Sequence, residues 1–154
     1  MAGHGIHLTQ QSTAAPEAVW GVLTNIAGAA ETLSGVTAVE MLTPGPYAVG
    51  TRWRETRRMF GKEETQEMWV AEVDAPRRTV VRTQDKGVAY VTVFQVEPAG
   101  SGSRITMHFD AEQATPGRVA RLAWSVLGPL GAKATAKVMR RDLADIAAAA
   151  ERAS

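Results

Sequence analysis

From Val36 to Glu112 the sequence alternates between apolar and polar side chains with a period of two, and proline or glycine interrupts the alternation at short intervals. Alternation with this period is typical of strands that bury one face, and the interruptions are typical of tight turns. We therefore predict a series of antiparallel strands joined by short turns, with one more strand near the N-terminus. The predicted strands are Ile6–Ser12, Val36–Leu42, Thr51–Arg58, Lys62–Val73, Thr79–Gln84, Val88–Val96 and Arg104–Glu112.

A short helical pattern separates the first two predicted strands. Pro16 and Glu17 suit the first turn of a helix, because proline tolerates that position and an acid interacts favourably with the helix dipole. Val19 and Leu23 then follow helical spacing, which predicts an amphipathic helix that ends near Gly28. A second helical turn is predicted immediately after it.

The residues from Thr115 and Pro116 onward have the composition of a helix. A straight helix from there to Ser154 would be about 57 Å long at about 1.5 Å per residue, which is longer than a domain of this size is wide. We therefore predict a break or kink at Gly128–Pro129. The second part of the helix presents an apolar stripe made of Ala132, Ala136, Met139, Leu143, Ile146 and Ala150.

Composition restricts the class of protein. A chain of 154 residues has the size of one domain, so we treat 1–154 as a single domain. A formal net charge of +1 is too balanced for a dedicated nucleic-acid binder, and the lack of cysteine excludes disulfides and thiolate metal sites. The weakly polar stretch Val119–Ala136 is interrupted too often to span a bilayer. We expect a cytoplasmic protein, monomer or homodimer, without integral membrane association.

The hairpin between the third and fourth strands carries the most unusual side chains. If Met59–Gly61 is a three-residue loop, Arg58 faces Lys62, and one face of the hairpin looks toward the C-terminal helix. The side chains on that face would be Trp53, Glu55, Arg57, Glu67 and Trp69. A two-residue turn flips the parity of one strand and would place Arg52, Arg54 and Arg58 on the face of Trp69 instead. Paired Arg and Glu residues also fit a solvated outer face, so Glu55, Arg57 and Glu67 are only candidates for catalytic groups.

Apolar positions elsewhere complete the wall of a predicted small-molecule site, although each of them also fits simple core packing. Thr79, Val81 and Thr83 are expected to point inward from the fifth strand, and His108 is expected to point outward. The three histidines lack metal-ligand spacing, so no metal site is expected. No cofactor is expected either. The predicted ligand-contacting residues are Trp53, Trp69, Tyr90, Phe94, Met107, Phe109, Trp124, Leu127 and Met139.

Several segments, in this order along nearly the whole chain, carry a resemblance to a known family. They are Thr13–Trp20, Ser34–Val36, Val39–Glu40, Val49–Glu55, Phe60–Glu63, Ala75–Arg78 and Gly102–Thr106. In these segments the chain resembles the helix-grip superfamily of START-like (SRPBCC) domains, and within it the polyketide cyclase/dehydrase-like branch. The resemblance implies an α+β fold: a curved, seven-stranded antiparallel sheet wrapped around a long C-terminal helix, with short helices after the first strand.

Such folds host transfer proteins, cyclases, hydrolases and receptors, so the fold alone leaves the function open. We interpret the chain as a protein that binds a hydrophobic or amphipathic small molecule, of lipid, polyketide or aromatic type, between sheet and helix. Ring-shaped ligands would rest on Trp53 and Trp69, and the Gly45–Gly50 loop would frame the entrance. One alternative is a cyclase/aromatase-type enzyme. The other is a non-enzymatic interaction module that uses Met68, Val70 and Val80 on an exposed outer sheet face.

Overall fold

A computed structural model of the chain describes residues 5–59, 61–85, 87–112 and 118–153, with the backbone alone at 59, 85, 112 and 118–132. The strands are β1 Ile6–Ser12, β2 Val36–Met41, β3 Arg52–Met59, β4 Lys62–Asp74, β5 Arg78–Asp85, β6 Val88–Ala99 and β7 Gly102–Glu112. The helices are α1 Pro16–Thr24, α2 Ala29–Thr32 and α3 Arg118–Ala153, and a 3₁₀ turn at Ile26–Gly28 lies between α1 and α2.

The seven strands form one antiparallel sheet in the order β1-β7-β6-β5-β4-β3-β2. Strands β2 to β7 are a meander of consecutive hairpins, whereas β1 pairs with β7 from the far end of the chain and places Ile6 opposite Phe109. The connection that holds α1 and α2 joins the two edge strands. This curved sheet with a C-terminal helix confirms the predicted α+β helix-grip fold.

The period-two pattern correctly predicted which faces of the last strands are buried. On β7, Ile105 and Met107 are buried, whereas His108, which follows Met107 and points to the other face, is exposed. On β5, Thr79 is 1% exposed and Thr83 is 8% exposed. Side chains of a strand alternate between the two faces of a sheet, so one apolar face per strand is enough to build the core.

The hairpin between β3 and β4 differs from the predicted register. Met59 pairs with Lys62 and Trp53 with Met68, so the turn has two residues and not three. Gly61 has a φ of 78°, a positive value of the kind that two-residue hairpin turns require; position 60 lies outside the described residues. The parity of β4 is therefore the alternative one, and Arg52 rather than Thr51 lies opposite Trp69.

Helix α3 runs without interruption from Arg118 to Ala153, so of the predicted break or kink at Gly128–Pro129 the break is wrong, and the kink stays a prediction. A proline inside a helix removes one backbone hydrogen bond and need not end the helix. The predicted start at Thr115–Pro116 lies outside the described residues. In the described part of the chain, no helix combines the length and the apolar composition that a membrane span requires.

The main core joins the C-terminal part of α3 to one end of the sheet and to α1. Of the predicted apolar stripe of α3, Met139, Leu143, Ile146 and Ala150 are buried. These side chains pack with residues of β1, α1, β6 and β7, and the cluster contains Leu8, Ala14, Val19, Val96, Ile105, Met107, Met139, Leu143, Ile146, Ala147 and Ala150. The core therefore fixes the last turns of α3 against the sheet.

Candidate functional site

A cavity of about 310 Å³ lies between the sheet, the α1–α2 connection and α3. Its wall is mostly apolar and aromatic, with a few charged and hydroxyl groups. The described lining residues are Val22, Leu23, Asn25, Ile26, Ala29, Thr32, Leu33, Tyr47, Trp53, Glu55, Arg57, Gln66, Met68, Val81, Thr83, Tyr90, Thr92, Phe94, Met107, Phe109, Thr135, Val138, Met139, Asp142 and Ile146.

Most of the side chains predicted to contact a ligand meet at this cavity. The wall contains the predicted residues Trp53, Tyr90, Phe94, Met107, Phe109 and Met139, together with the predicted polar candidates Glu55 and Arg57. The rings of Tyr90 and Phe109 stack with centroids 5.5 Å apart and an interplanar angle of 9°. The side chains of Trp124 and Leu127 lie outside the described part of the structure.

Glu67 and Trp69 are not part of this wall, because the two-residue turn places them on the other face of β4. Arg52 bridges both of them: its guanidinium carbon lies 4.9 Å from the centroid of the Trp69 ring, and it forms an ion pair with Glu67. The side chains of Arg52 and Glu67 are about two-fifths exposed. The predicted ring stacking on Trp69 and the predicted catalytic use of Glu67 are therefore wrong for this cavity.

The outer-face patch predicted for an interaction module is also absent. Met68 lines the cavity, Val70 is 1% exposed and Val80 is 2% exposed. The two-residue turn places Met68, and Val70 two positions later, on the inner face of β4, opposite to the face from which their exposure was predicted. These residues therefore offer no exposed apolar surface to a partner.

A charged cluster in the cavity wall joins β3 to α3. From Arg57, Nε and Nη2 donate to Glu55 Oε2 at 3.1 and 3.0 Å, and Nη1 donates to Asp142 Oδ1 at 3.0 Å. Nη2 also lies 3.0 Å from Asp142 Oδ2. All three side chains are at most 15% exposed, so the ion pairs are weakly screened by water. A buried arginine fork of this kind holds its partners in a fixed geometry.

The surroundings shift the pKa values within this cluster. Burial alone would lower the pKa of Arg57, but the charges of Asp142 and Glu55 and their hydrogen bonds raise it overall. Burial also raises the pKa of Asp142; Arg57 only partly opposes this, and the nearby carboxylates Glu55 and Asp145 add to the increase. Arg57 therefore stays charged, whereas Asp142 takes up a proton at a higher pH than a free aspartate does.

Asp142 is a cavity residue that the sequence analysis did not identify. The signal that could have found it is helical spacing: Asp142 follows Met139 by three positions and precedes Ile146 by four, and both are buried. Its neighbour Asp145 accepts hydrogen bonds from the backbone N–H and the hydroxyl of Ser34, both at 2.9 Å. Acidic residues on this side of α3 thus attach the helix to the β2 side of the sheet.

Tyr47 is a second cavity residue that sequence reasoning missed, because it lies in a proline- and glycine-rich loop. Its hydroxyl lies 2.7 Å from Thr79 Oγ1. Thr79 donates its own hydroxyl proton to the carbonyl of Glu72 at 2.9 Å, so Tyr47 is the donor in the shorter bond. Burial raises the pKa of Tyr47 and the Thr79 hydrogen bond lowers it by less. Trp20 contacts the ring edge-on, with centroids 6.5 Å apart.

Trp53 carries a polar group without a partner. The side chain is 2% exposed, and its Nε1 has no hydrogen-bond acceptor among the described residues. A buried, unpaired N–H is unfavourable and uncommon in folded proteins. In the described part of the chain, no three His, Cys, Asp or Glu side chains are grouped so that they could hold a metal ion.

A curved antiparallel sheet that encloses a cavity against a C-terminal helix places the protein in the helix-grip class. Residues 4–151 match the family described as polyketide cyclase / dehydrase and lipid transport, and the chain belongs to this family. The match confirms the resemblance found in the sequence. No curated protein matches the sequence.

Solved structures show the same fold at low sequence identity. A protein from Thermus thermophilus has a TM-score of 0.79 at 18% identity, with 97% of this chain and 99% of that chain covered. A START superfamily protein from Mycobacterium smegmatis has a TM-score of 0.76 at 13% identity, with 99% and 100% covered. The Zhui aromatase/cyclase from a Streptomyces species has a TM-score of 0.70 at 18% identity, with 96% and 93% covered.

Proposed function

We propose that the protein binds a hydrophobic or amphipathic small molecule in the cavity between sheet and helix. The observation that carries this proposal is the cavity of about 310 Å³, lined by Trp53, Phe94 and Met107 and by a buried charged cluster. Mostly apolar walls with a few polar groups are typical of small-molecule sites. Each 100 Å² of apolar ligand surface removed from water would contribute about 2.5 kcal/mol to binding.

Family membership and fold support the same proposal. The family description names lipid transport beside cyclase and dehydrase activity. Each of these functions requires a largely apolar ligand to move from water into the protein. Within the cavity, the indole of Trp53 and the stacked rings of Tyr90 and Phe109 would contact a flat ligand. Offset ring contacts favour aromatic guests over open chains by about 1 kcal/mol.

The test is binding of a neutral fluorescent probe, N-phenylnaphthylamine, to the wild-type protein and to two variants. Thr92→Phe places a ring into the cavity, whereas Val91→Phe places the same ring on the opposite face of β6. We expect the wild type and Val91→Phe to bind the probe and Thr92→Phe to lose at least about tenfold in affinity. Absent binding to the wild type, or equal losses in both variants with the fold retained, would contradict the proposal.

A second candidate function is proton transfer to a bound carbonyl compound, as in ring closure or dehydration. The observation that favours it is Asp142, a carboxyl in the cavity wall whose raised pKa lets it hold a proton nearer to neutral pH. In aldol-type ring closure the carbon next to one carbonyl loses a proton and forms a C–C bond to a second carbonyl carbon, whose oxygen gains a proton and becomes a hydroxyl. Asp142 would supply the proton to that oxygen, and the proton released from the carbon would restore the Asp142 carboxyl, so that the ring closure has no net proton change. Arg57 would orient the carboxyl through its fork.

The experiment for this candidate adds the protein to an unreduced poly-β-ketone released from a polyketide synthase and analyses the products by chromatography. We expect the wild type to change the ratio of cyclised products and Asp142→Asn to lose that effect while it still binds N-phenylnaphthylamine. Identical product ratios with and without the wild-type protein would refute the enzymatic candidate and leave the binding proposal intact.

A further inference from the structure

The charges in the cavity wall are unequal in number. The described lining residues contain one basic side chain, Arg57, and two carboxylates, Glu55 and Asp142. Asp145 lies close enough to influence Asp142 and adds a further negative charge beside the cluster. The part of the wall that the structure describes is therefore poor in positive charge.

The charge of Arg57 is already shared between two carboxylates, which accept hydrogen bonds from its Nε, Nη1 and Nη2. Its Nε contacts Glu55, its Nη1 contacts Asp142, and its Nη2 contacts both, at distances of 3.0 to 3.1 Å. A ligand carboxylate would bring a third negative charge to this single cation, or would have to displace one of its two partners. The displaced carboxylate would then be buried without a counterion, which is strongly unfavourable.

Protonation of Asp142 does not change this conclusion. The pair of Arg57 with Glu55 has its own contacts at 3.0 and 3.1 Å and remains when Asp142 is neutral. In both protonation states, therefore, the described lining residues offer a ligand no unpaired cation.

The cluster does offer hydrogen-bond acceptors. Both hydrogen bonds from Arg57 to Glu55 reach Oε2, so Oε1 is able to accept a hydrogen bond from a group in the cavity. Each oxygen of Asp142 also keeps a second lone pair beside its contact with Arg57. A hydroxyl group of a ligand can donate to these oxygens without disturbing the ion pairs.

We propose that the cavity selects apolar ligands whose polar end is an uncharged hydrogen-bond donor, such as a phenol or alcohol, and rejects ligands that end in a carboxylate. This inference rests on the proposed binding function and adds the chemical class of the ligand. It separates hydroxylated ring compounds and alcohols from free fatty acids and aromatic acids, which have similar apolar surfaces.

The test compares three ligands with the same ring system by calorimetry at pH 7: naphthol, naphthoate and methoxynaphthalene. We expect naphthol to bind at least about tenfold more tightly than naphthoate, because only naphthoate is ionised. Methoxynaphthalene keeps the ether oxygen but has no O–H to donate, and we expect it to bind several-fold more weakly than naphthol. Naphthoate binding that equals or exceeds naphthol binding would overturn the inference, as would methoxynaphthalene binding equal to that of naphthol.

Variants test whether the charged cluster causes the preference for naphthol over naphthoate. Asp142→Asn and Glu55→Gln each remove one negative charge beside Arg57, and we expect either change to narrow the difference between naphthol and naphthoate. Glu40→Gln removes a carboxylate of an exposed pair with Arg54 and should leave the difference unchanged. An unchanged preference in both cluster variants, if they are folded, would contradict the assignment.

Failure of this inference is distinguishable from failure of the proposed function. If the wild type does not bind N-phenylnaphthylamine or any naphthalene ligand, the binding function itself is refuted. If the neutral probe binds and Thr92→Phe blocks it, but naphthoate competes as well as naphthol, only the selectivity is refuted.

Discussion

Arg57 on β3 and Asp142 on α3 contact each other at two points, Nη1 to Oδ1 and Nη2 to Oδ2, both at 3.0 Å. These residues are 85 positions apart in the chain, and the pair connects the middle of the helix to a strand on the β2 side of the sheet. Because the same guanidinium also holds Glu55, a single side chain fixes both the helix position and the polarity of the cavity wall.

Replacement of Arg57 should therefore be costly. Arg57→Met leaves Glu55 and Asp142 buried without a cation, and we expect the free energy of unfolding to fall by about 3 kcal/mol. The matched control is Arg54→Met, on the same strand but in an exposed pair with Glu40, which should cost less than about 0.5 kcal/mol. Urea unfolding followed by circular dichroism measures both. Equal losses would mean that the cluster contributes no more than a surface pair.

The hydroxyl of Tyr47 should stabilise the loop between β2 and β3. Tyr47→Phe removes its donation to Thr79, and we expect a loss of about 1 kcal/mol. The effect should be local, with faster hydrogen exchange at the amides of Ala48 and Gly50, whose partners are Thr51 and Val70. Thr37→Val removes an exposed hydrogen bond of 3.3 Å and serves as the control. If the loop amides exchange at the wild-type rate in Tyr47→Phe, the hydroxyl has no such role.

Gly102 at the start of β7 is a position where no side chain fits. A Cβ there would overlap with the carbonyl oxygen of Ser12 and lie 2.9 Å from the Cα of Thr13, and both of these are backbone atoms. We expect Gly102→Ala to destabilise the protein by about 3 kcal/mol, because the β1–β7 edge must shift.

The control for this glycine is Gly21 inside α1, where a Cβ would meet nothing within 4 Å. Gly21→Ala should stabilise the protein by about 0.5 to 1 kcal/mol, because alanine loses less conformational entropy in a helix. Thermal unfolding of the two variants compares them directly, and a stable Gly102→Ala variant would show that the edge pairing is looser than described.

Glu151 lies near the end of α3 and makes the attachment of this helix to the end of β1 dependent on pH. Its Oε2 accepts hydrogen bonds from the backbone N–H of Thr13 and the hydroxyl of Ser12, both at 3.0 Å, and these lower the pKa of Glu151. Because the native pKa of Glu151 lies below the usual glutamate value of 4.5, the contribution to stability is complete above pH 4.5 and is lost as the pH falls through the native pKa.

The measurement compares the wild type with Glu151→Gln. We expect the wild type to be more stable at roughly pH 6 and the difference to shrink at roughly pH 3. A difference that stays constant, or that grows toward acid, would show that the carboxylate form of Glu151 is not the stabilising one.

The succession of strands along the chain and the inward faces of β5, β6 and β7 were predictable from the sequence. Both follow from the alternation of apolar and polar residues, as at Ile105 and Met107, which is a local pattern. The face of the sheet on which each side chain of β4 lies was not predictable. It depends on whether the turn contains one or two residues besides Gly61, and both turn lengths give plausible pairs of side chains between β3 and β4. Trp69 was assigned to the wrong face for this reason. A single-residue error in a turn thus moves every side chain of a strand to the other side.

The candidate site was predictable only in part, for a different physical reason. Trp53, Glu55 and Arg57 share a face by local alternation, so the sequence placed them together. Asp142 joins them through the packing of α3 across the sheet, which no local pattern specifies. An acidic side chain ordinarily favours water, whereas the guanidinium of Arg57 makes the burial of Asp142 tolerable.

The two edges of the sheet belong to strands that follow one another in the chain, β1 and β2, yet β1 pairs with β7. During synthesis, β1 therefore emerges before its partner and must wait until about residue 112 is available before it can pair along its whole length. The hairpins from β2 to β7 can form in order of synthesis, because each strand follows its partner directly. We expect β1 to join late in folding, since that step closes the largest loop of chain in the sheet.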